Sequence, residues 1–329
     1  GAAAQRAGRI MSSNTPIAEL ASVKGWCPGA LRPMQTGDGW IVRVRPRSGE
    51  LGVLQMLGVS EVATCHGNGL IDLTRRANLQ IRGVDERNIP SLWAALSECG
   101  LIDAHADAEA VRNVVVSPLA GIDPTEICNV RPMDGALEAV LAETPTLWSL
   151  PGKFGFAIDG GGLLPLDNER ADIWLKATDI DGEARVAIGI DTAQGTEWLR
   201  LVEADRAHAA AARLAMAFVA LPKQRPRARM HDLEPGGIAA LREALRDWGV
   251  PAAVGLPQDE VVASDRVGLV EANCRVIAVG IGAPFGRLTA QALRRIAETA
   301  AELGIAAFRL SPWRVLYAPV TGNREASIL

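Results

Sequence analysis

Apolar and basic residues alternate along WIVRVRP from Trp40, the pattern of a strand with one buried face. Gly49 turns the chain, and Leu51 to Cys65 has the spacing of a helix that Gly67 and Gly69 end. GLIDLT and NLQIRGV then predict two more strands, and Ile89 to Cys99 a second helix. This β-α-β-β-α rhythm is that of a ferredoxin-like half.

The rhythm returns near the end. CRVIAVGIGAPFG reads as strand and turn, RLTAQALRRIAETAAELG as a helix closed by Gly304, and IAAFRLS and WRVLYAPV as strands. Laying Gly49 on Gly286 places Leu51 on Leu288, Gly67 on Gly304, Leu73 on Leu310 and Thr74 on Ser311 without a gap, which indicates an internal duplication. Between the repeats, VRNVVVS, KFGFAID, DIWLKAT and ARVAIGI predict strands. Helices are expected over Gly135 to Glu143, Glu203 to Leu221 and Gly236 to Trp248. GGG at 160–162 and DG at 181–182 are expected to be hairpin turns. The basic, Pro-containing PKQRPRARMHD marks the passage to the second repeat.

The predicted class is α+β, with two ferredoxin-like half-domains flanking an α/β lobe. Residues 1–39 form an arm laid over the body, 40–105 the first half, 106–255 the lobe and 256–329 the second half.

Composition narrows the function. Of 329 residues, 34 are Lys or Arg and 38 Asp or Glu, a net charge of −4, and 48% are hydrophobic. That acidity argues against a nucleic-acid partner, and no apolar run approaches the roughly 20 residues of a membrane span. Five scattered cysteines (27, 65, 99, 128 and 274) without zinc spacing predict reduced thiols in a cytoplasmic protein. GIGAPFG at 280–286 lacks the Lys and Ser or Thr of a P-loop, and His66 beside Cys65 points away from it.

The most informative pattern is RRANLQIRG at 75–83. Read as a strand, it sets Arg76, Asn78, Gln80 and Arg82 on one face, and the neighbouring IVRVRPR adds Arg43, Arg45 and Arg47. Guanidinium forks hold carboxylates in two-point contacts and stay charged at any working pH. A solvated outer sheet face also alternates, but Asn and Gln among the arginines fit a ligand with several carboxylates better. Arg112 and Asn113 at the start of VRNVVVSPLAG, and Lys153 at the entrance to a strand, are further candidates.

Together, KGWCPGALRPMQTGDGWIVRVRP, GNGLIDLTRRANLQIRGV, VRNVVVSPLAGIDP, LPGKFGFAIDGGG and SPWRVLYAP resemble the precorrin-3B synthase family, within the nitrite and sulfite reductase superfamily. The resemblance implies two ferredoxin-like halves alternating with nitrite/sulfite-reductase-like lobes. It implies catalytic roles for Arg76, Arg112 and Lys153, with Arg43, Arg45, Asn78, Gln80, Arg82 and Asn113 binding substrate. Gly155 stands where sulfite reductases carry a second Lys, which argues against siroheme-dependent anion reduction. In the synthase, precorrin-3A is hydroxylated by dioxygen at the carbon between rings A and D, and a ring A acetate closes to a γ-lactone. The family uses a four-iron four-sulfur cluster and a non-heme iron. Its cluster cysteines come as two short motifs in a last lobe, and none of the five cysteines here has that spacing, so no metal ligands are expected in this chain. The expectation is therefore either part of a longer enzyme or a cluster-free homologue that holds a tetrapyrrole or other polyanion. A surface docking an acidic protein is the weaker alternative.

Overall fold

A computed structural model describes residues 27–166, 169–222, 229–252 and 266–328. The start of the arm, most of the basic linker and the boundary expected at 255 lie outside them.

The end of the arm, expected to lie over the body, is itself a strand, β1 (Met34–Thr36), paired with the strand that follows it. The first half then runs β2 (Gly39–Val44), β3 (Glu50–Gly52), α1 (Val53–His66), β4 (Leu70–Leu73), β5 (Leu79–Val84) and α2 (Ile89–Glu98). The second repeats it: β12 (Gly268–Ala272), β13 (Arg275–Gly282), β14 (Arg287–Thr289), α7 (Ala290–Glu302), β15 (Ala307–Leu310) and β16 (Val315–Pro319), then α8 (Asn323–Ile328). The two helices pack together, and one apolar core runs through both halves, from Val42, Met56 and Ile81 to Leu293 and Phe308. The residues before each helix, expected to be helical from Leu51 and after Gly286, are instead short strands.

Those strands are exchanged. One sheet has the order β1-β2-β5-β4-β14 and the other β12-β13-β16-β15-β3, so each half lends an edge strand to its twin. The exchange is reciprocal in the backbone: Val53 N donates to Ala306 O (3.0 Å) and Ala290 N to Gly69 O (2.8 Å), pairs that the duplication offset interconverts. It is also marked by charge. Arg287 pairs with Asp72 across β14 and β4, and Glu50 with Arg309 across β3 and β15. Because the offset lays Glu50 on Arg287 and Asp72 on Arg309, pairing each strand within its own half would oppose like charges.

The lobe is a six-stranded sheet in the order β11-β10-β9-β8-β7-β6, with β6 at Val114–Val116, β7 at Phe156–Asp159, β8 at Ile173–Ile180, β9 at Glu183–Thr192, β10 at Gly195–Val202 and β11 at Val250–Pro251. Helices α4 (Arg131–Glu143), α5 (Ala207–Ala220) and α6 (Pro235–Ala244) build its core with Phe156, Ile188 and Leu214. Three expectations change here. VRNVVVS is a strand only from Val114, because helix α3 (Ala106–Val111) precedes it. GTEWLRLV, unpredicted, is β10. GGG at 160–162 is no hairpin turn, since β7 and β8 run parallel and need a crossover, whereas Asp181 and Gly182, at φ 54° and 84°, do turn β8 into antiparallel β9. Among the described residues no helix is long and apolar enough to cross a membrane.

Candidate functional site

A cavity of about 850 Å³ opens where the first sheet meets the second half. Its floor follows the strand register: Arg43 of β2 faces Gln80 of β5, which faces Asp72 of β4, which faces Arg287 of β14. Arg75 and Arg76 enter from the loop before β5, and Phe285 and Arg314 from the second half. Leu70, Leu73 and Leu288 add apolar wall.

Arg43 is only 9% exposed, and its Nε and Nη1 have no hydrogen-bond partner among the described residues. Burial pushes its guanidinium down from the ordinary value; Cys27, which it contacts, and the more distant Glu109 act the other way. Arg76 is half-buried and likewise lowered by burial, with Cys27 and Asp172 opposing and Arg43 and Arg229 reinforcing. Its Nη2 donates to Lys153 O at 3.0 Å. Beneath that loop, fully buried Asp172 accepts from Gly155 N (2.8 Å), Met230 N (3.1 Å) and both Nε (3.0 Å) and Nη2 (2.5 Å) of Arg229. A Cβ on Gly155 would stand 3.5 Å from Arg76 Nη1, so a long side chain there would crowd that arginine.

The expected residues thus separate. Arg43, Arg76 and Gln80 meet in the cavity, although Arg76 and Asn78 lie in a turn, with Ala77 at φ 50°, rather than on the strand. Asn78 is buried, its backbone N donating to Thr74 Oγ1 at 3.2 Å. Arg82 is held by Asp38 at 2.8 Å, with Asp72 at 3.7 Å. Lys153 is exposed and offers Arg76 its carbonyl, and its ammonium has no hydrogen bond or ion pair among the described residues.

Arg45, Arg112 and Asn113 are tied up in the structure itself. Arg45 Nη1 donates to Glu109 O (2.5 Å) and Asn113 Oδ1 (3.0 Å), and Nη2 to Pro28 O (3.2 Å). Asn113 Nδ2 donates to Phe154 O at 3.0 Å, fastening the loop that carries Lys153. Arg112 is gripped by Asp103 (2.8 Å) and Glu138 (2.9 Å); burial would lower its guanidinium, but these two carboxylates outweigh it and raise it. Glu109 also accepts from Ala30 N (2.6 Å) and Leu31 N (3.0 Å), and Trp93 Nε1 donates to Ala30 O (2.7 Å), so this buried cluster clamps the described end of the arm and sets Cys27 beside Arg43.

Sequence reasoning missed Arg75, Asp72, Arg287, Phe285 and Arg314. Only the duplication offset, which pairs 285 with 48 and 314 with 77, singles out the last two.

The cysteines lie apart: Cys27 in the arm, Cys65 on α1, Cys99 after α2, Cys128 in the lobe and Cys274 in the β12–β13 turn, all free. Among the described residues no three His, Cys, Asp or Glu side chains group as a metal site. These donors do not fit a four-iron four-sulfur cluster.

Residues 32–99 match the nitrite/sulfite reductase ferredoxin-like half domain. The chain is 31% identical to a precorrin-3B synthase of Sinorhizobium sp. over 294 residues, 89% of this chain and 61% of that protein. It is 25% identical to an assimilatory ferredoxin-dependent nitrite reductase of Haloferax mediterranei, covering 83% of this chain and 53% of the relative. Its fold matches that of Mycobacterium tuberculosis NirA with a TM-score of 0.73 at 22% identity, over 85% of this chain and 53% of that one. The chain therefore spans between half and two thirds of the length of these relatives.

Proposed function

We propose, for a chain that carries the nitrite/sulfite reductase ferredoxin-like half domain and resembles precorrin-3B synthase over most of its length, that it holds a polycarboxylate tetrapyrrole for oxygen-dependent ring hydroxylation and γ-lactone formation of the precorrin-3A type. The supporting observation is Arg43. Arg45 and Arg112 are as deeply buried, and each also leaves its Nε without a hydrogen-bond partner among the described residues, yet carboxylates or carbonyls engage their Nη groups. Arg43 lines the cavity with Nε and Nη1 both unpaired and no carboxylate among the described residues in an ion pair with it. Unpaired buried donors on a cation are costly, and an anionic ligand relieves that cost.

In this reading Arg43 and Arg76 take acetate or propionate carboxylates, Gln80 offers its amide between them, and the leucine wall meets the macrocycle. The lactone requires one ring A acetate to stay free to close while its neighbours are held. Two fixed guanidinium groups on one side of the cavity give that asymmetry, and the rate gain is one of orientation. Dioxygen is the oxidant in the family's reaction. The scattered thiols favour a second reading, a cluster-free holder of tetrapyrroles. Aerobic incubation with precorrin-3A and a reductant, followed by mass analysis for an added oxygen, separates the two.

Binding is tested by titrating the full chain with uroporphyrin, a metal-free octacarboxylate macrocycle, and with siroheme, following visible absorbance. Arg43→Met and Arg76→Ala should each weaken uroporphyrin by about tenfold or more. Parent-like affinity in both variants would remove this site.

A further inference from the structure

The mouth of the cavity carries two side chains that the fold itself does not require. The duplication offset lays Ser48 on Phe285 and Ala77 on Arg314. All four have a left-handed backbone: φ is 53° and 55° at the first pair, 50° and 63° at the second. Residues with a Cβ are disfavoured there, bulky ones most. The first half builds both turns with small residues; the second builds the same turns with a phenylalanine and an arginine.

Neither side chain is explained by packing. Phe285 is 97% exposed, whereas Ser48 is half-buried and its N donates to Glu138 Oε2 of the lobe at 3.2 Å. Arg314 is exposed, and among the described residues its guanidinium reaches only the carbonyl of Phe285, Nη1 donating at 3.4 Å. Its stem crosses Gly286, where a Cβ would stand 2.5 Å from Arg314 Cδ; that glycine, at φ 74°, leaves the arginine its path. Phe285 and Arg314 line the same cavity as Arg43 and Arg76, on the side the second half contributes.

We propose that Phe285 and Arg314 are a specificity clamp for an amphipathic macrocycle, the ring packing on its apolar surface while the guanidinium holds a peripheral carboxylate. The inference rests on the tetrapyrrole reading above and extends it from anion binding to selection of ligand shape. A flexible polycarboxylate has no flat surface for Phe285, and an uncharged ring gives Arg314 nothing to hold.

The test installs the first half's own residues, Phe285→Ser and Arg314→Ala, in the full chain and titrates uroporphyrin and citrate. Phe285→Ser should weaken uroporphyrin about threefold to tenfold and leave citrate unchanged. Arg314→Ala should weaken both by about that factor. Thermal midpoints should equal or exceed the parent's, because small residues replace bulky ones at left-handed positions. Lower midpoints with parent-like uroporphyrin affinity would show a structural role and overturn the clamp. Parent-like affinity in these variants beside a loss in Arg43→Met would overturn the clamp alone, and a parent chain that binds no uroporphyrin would overturn both it and the tetrapyrrole reading.

Discussion

Asp134 offers a test of the electrostatics where the lobe packs against the first half. It lies fully buried in the first turns of α4, and among the described residues neither carboxylate oxygen has a hydrogen-bond partner of good geometry. Burial first and the neighbouring Glu138 second push its carboxyl up to about 7, against the nearby Ser48, Arg131 and Arg112. Below its ordinary value of 3.8 the group is protonated in folded and unfolded chains alike, and no penalty arises. As pH rises from there towards 7, the unfolded chain releases the proton while the folded one retains it. Stability then falls by about 1.4 kcal/mol per pH unit, to a total of up to about 4 kcal/mol, and levels off above 7. Asp134→Asn keeps the shape and removes the ionisation. Thermal or urea unfolding from pH 4 to pH 8 should give two curves that differ little at pH 4 and diverge as pH rises, the variant becoming the more stable by several degrees. Parallel curves across that range would refute the account of a buried, uncompensated carboxyl.

Other outcomes follow from the same contacts. Arg43→Met should raise unfolding stability by about 1–2 kcal/mol in denaturant titrations while weakening uroporphyrin by about tenfold or more, because it removes a buried cation with unpaired donors. Arg112→Met should cost about 3–5 kcal/mol, since it strands Asp103 and Glu138 in the interior; a loss under 1 kcal/mol would mean these carboxylates are solvated. Glu50→Arg and Arg309→Glu should each destabilise by about 0.5–1 kcal/mol or more, and the double variant should recover the part due to this pair but not the part that Glu50 shares with Arg131. Additive losses in that cycle would deny the charge-marked strand exchange.

The chain's periodicity made the elements legible because burial of one face imposes a local period of two or 3.6 residues, and each repeat was readable by itself. The gapless offset also disclosed the duplication, whereas the matching left-handed turns at Ser48 and Phe285 emerged only from the backbone. Candidate cations were visible as well, but their roles were not: Arg43, Arg45 and Arg112 look alike along the chain. What separates them is the nearest acid or carbonyl, brought by Glu109, Asp103 and Glu138 from residues distant in sequence. Strand exchange was hidden for the same reason, since Glu50–Gly52 is too short to show a period and its partner lies in the other repeat. Sequence by itself determined most of the alternation of elements, the repeat and the stock of arginines. Only the tertiary structure decided which arginines are gripped by carboxylates and carbonyls and which line a cavity, because charge compensation depends on distances in space that local periodicity does not encode.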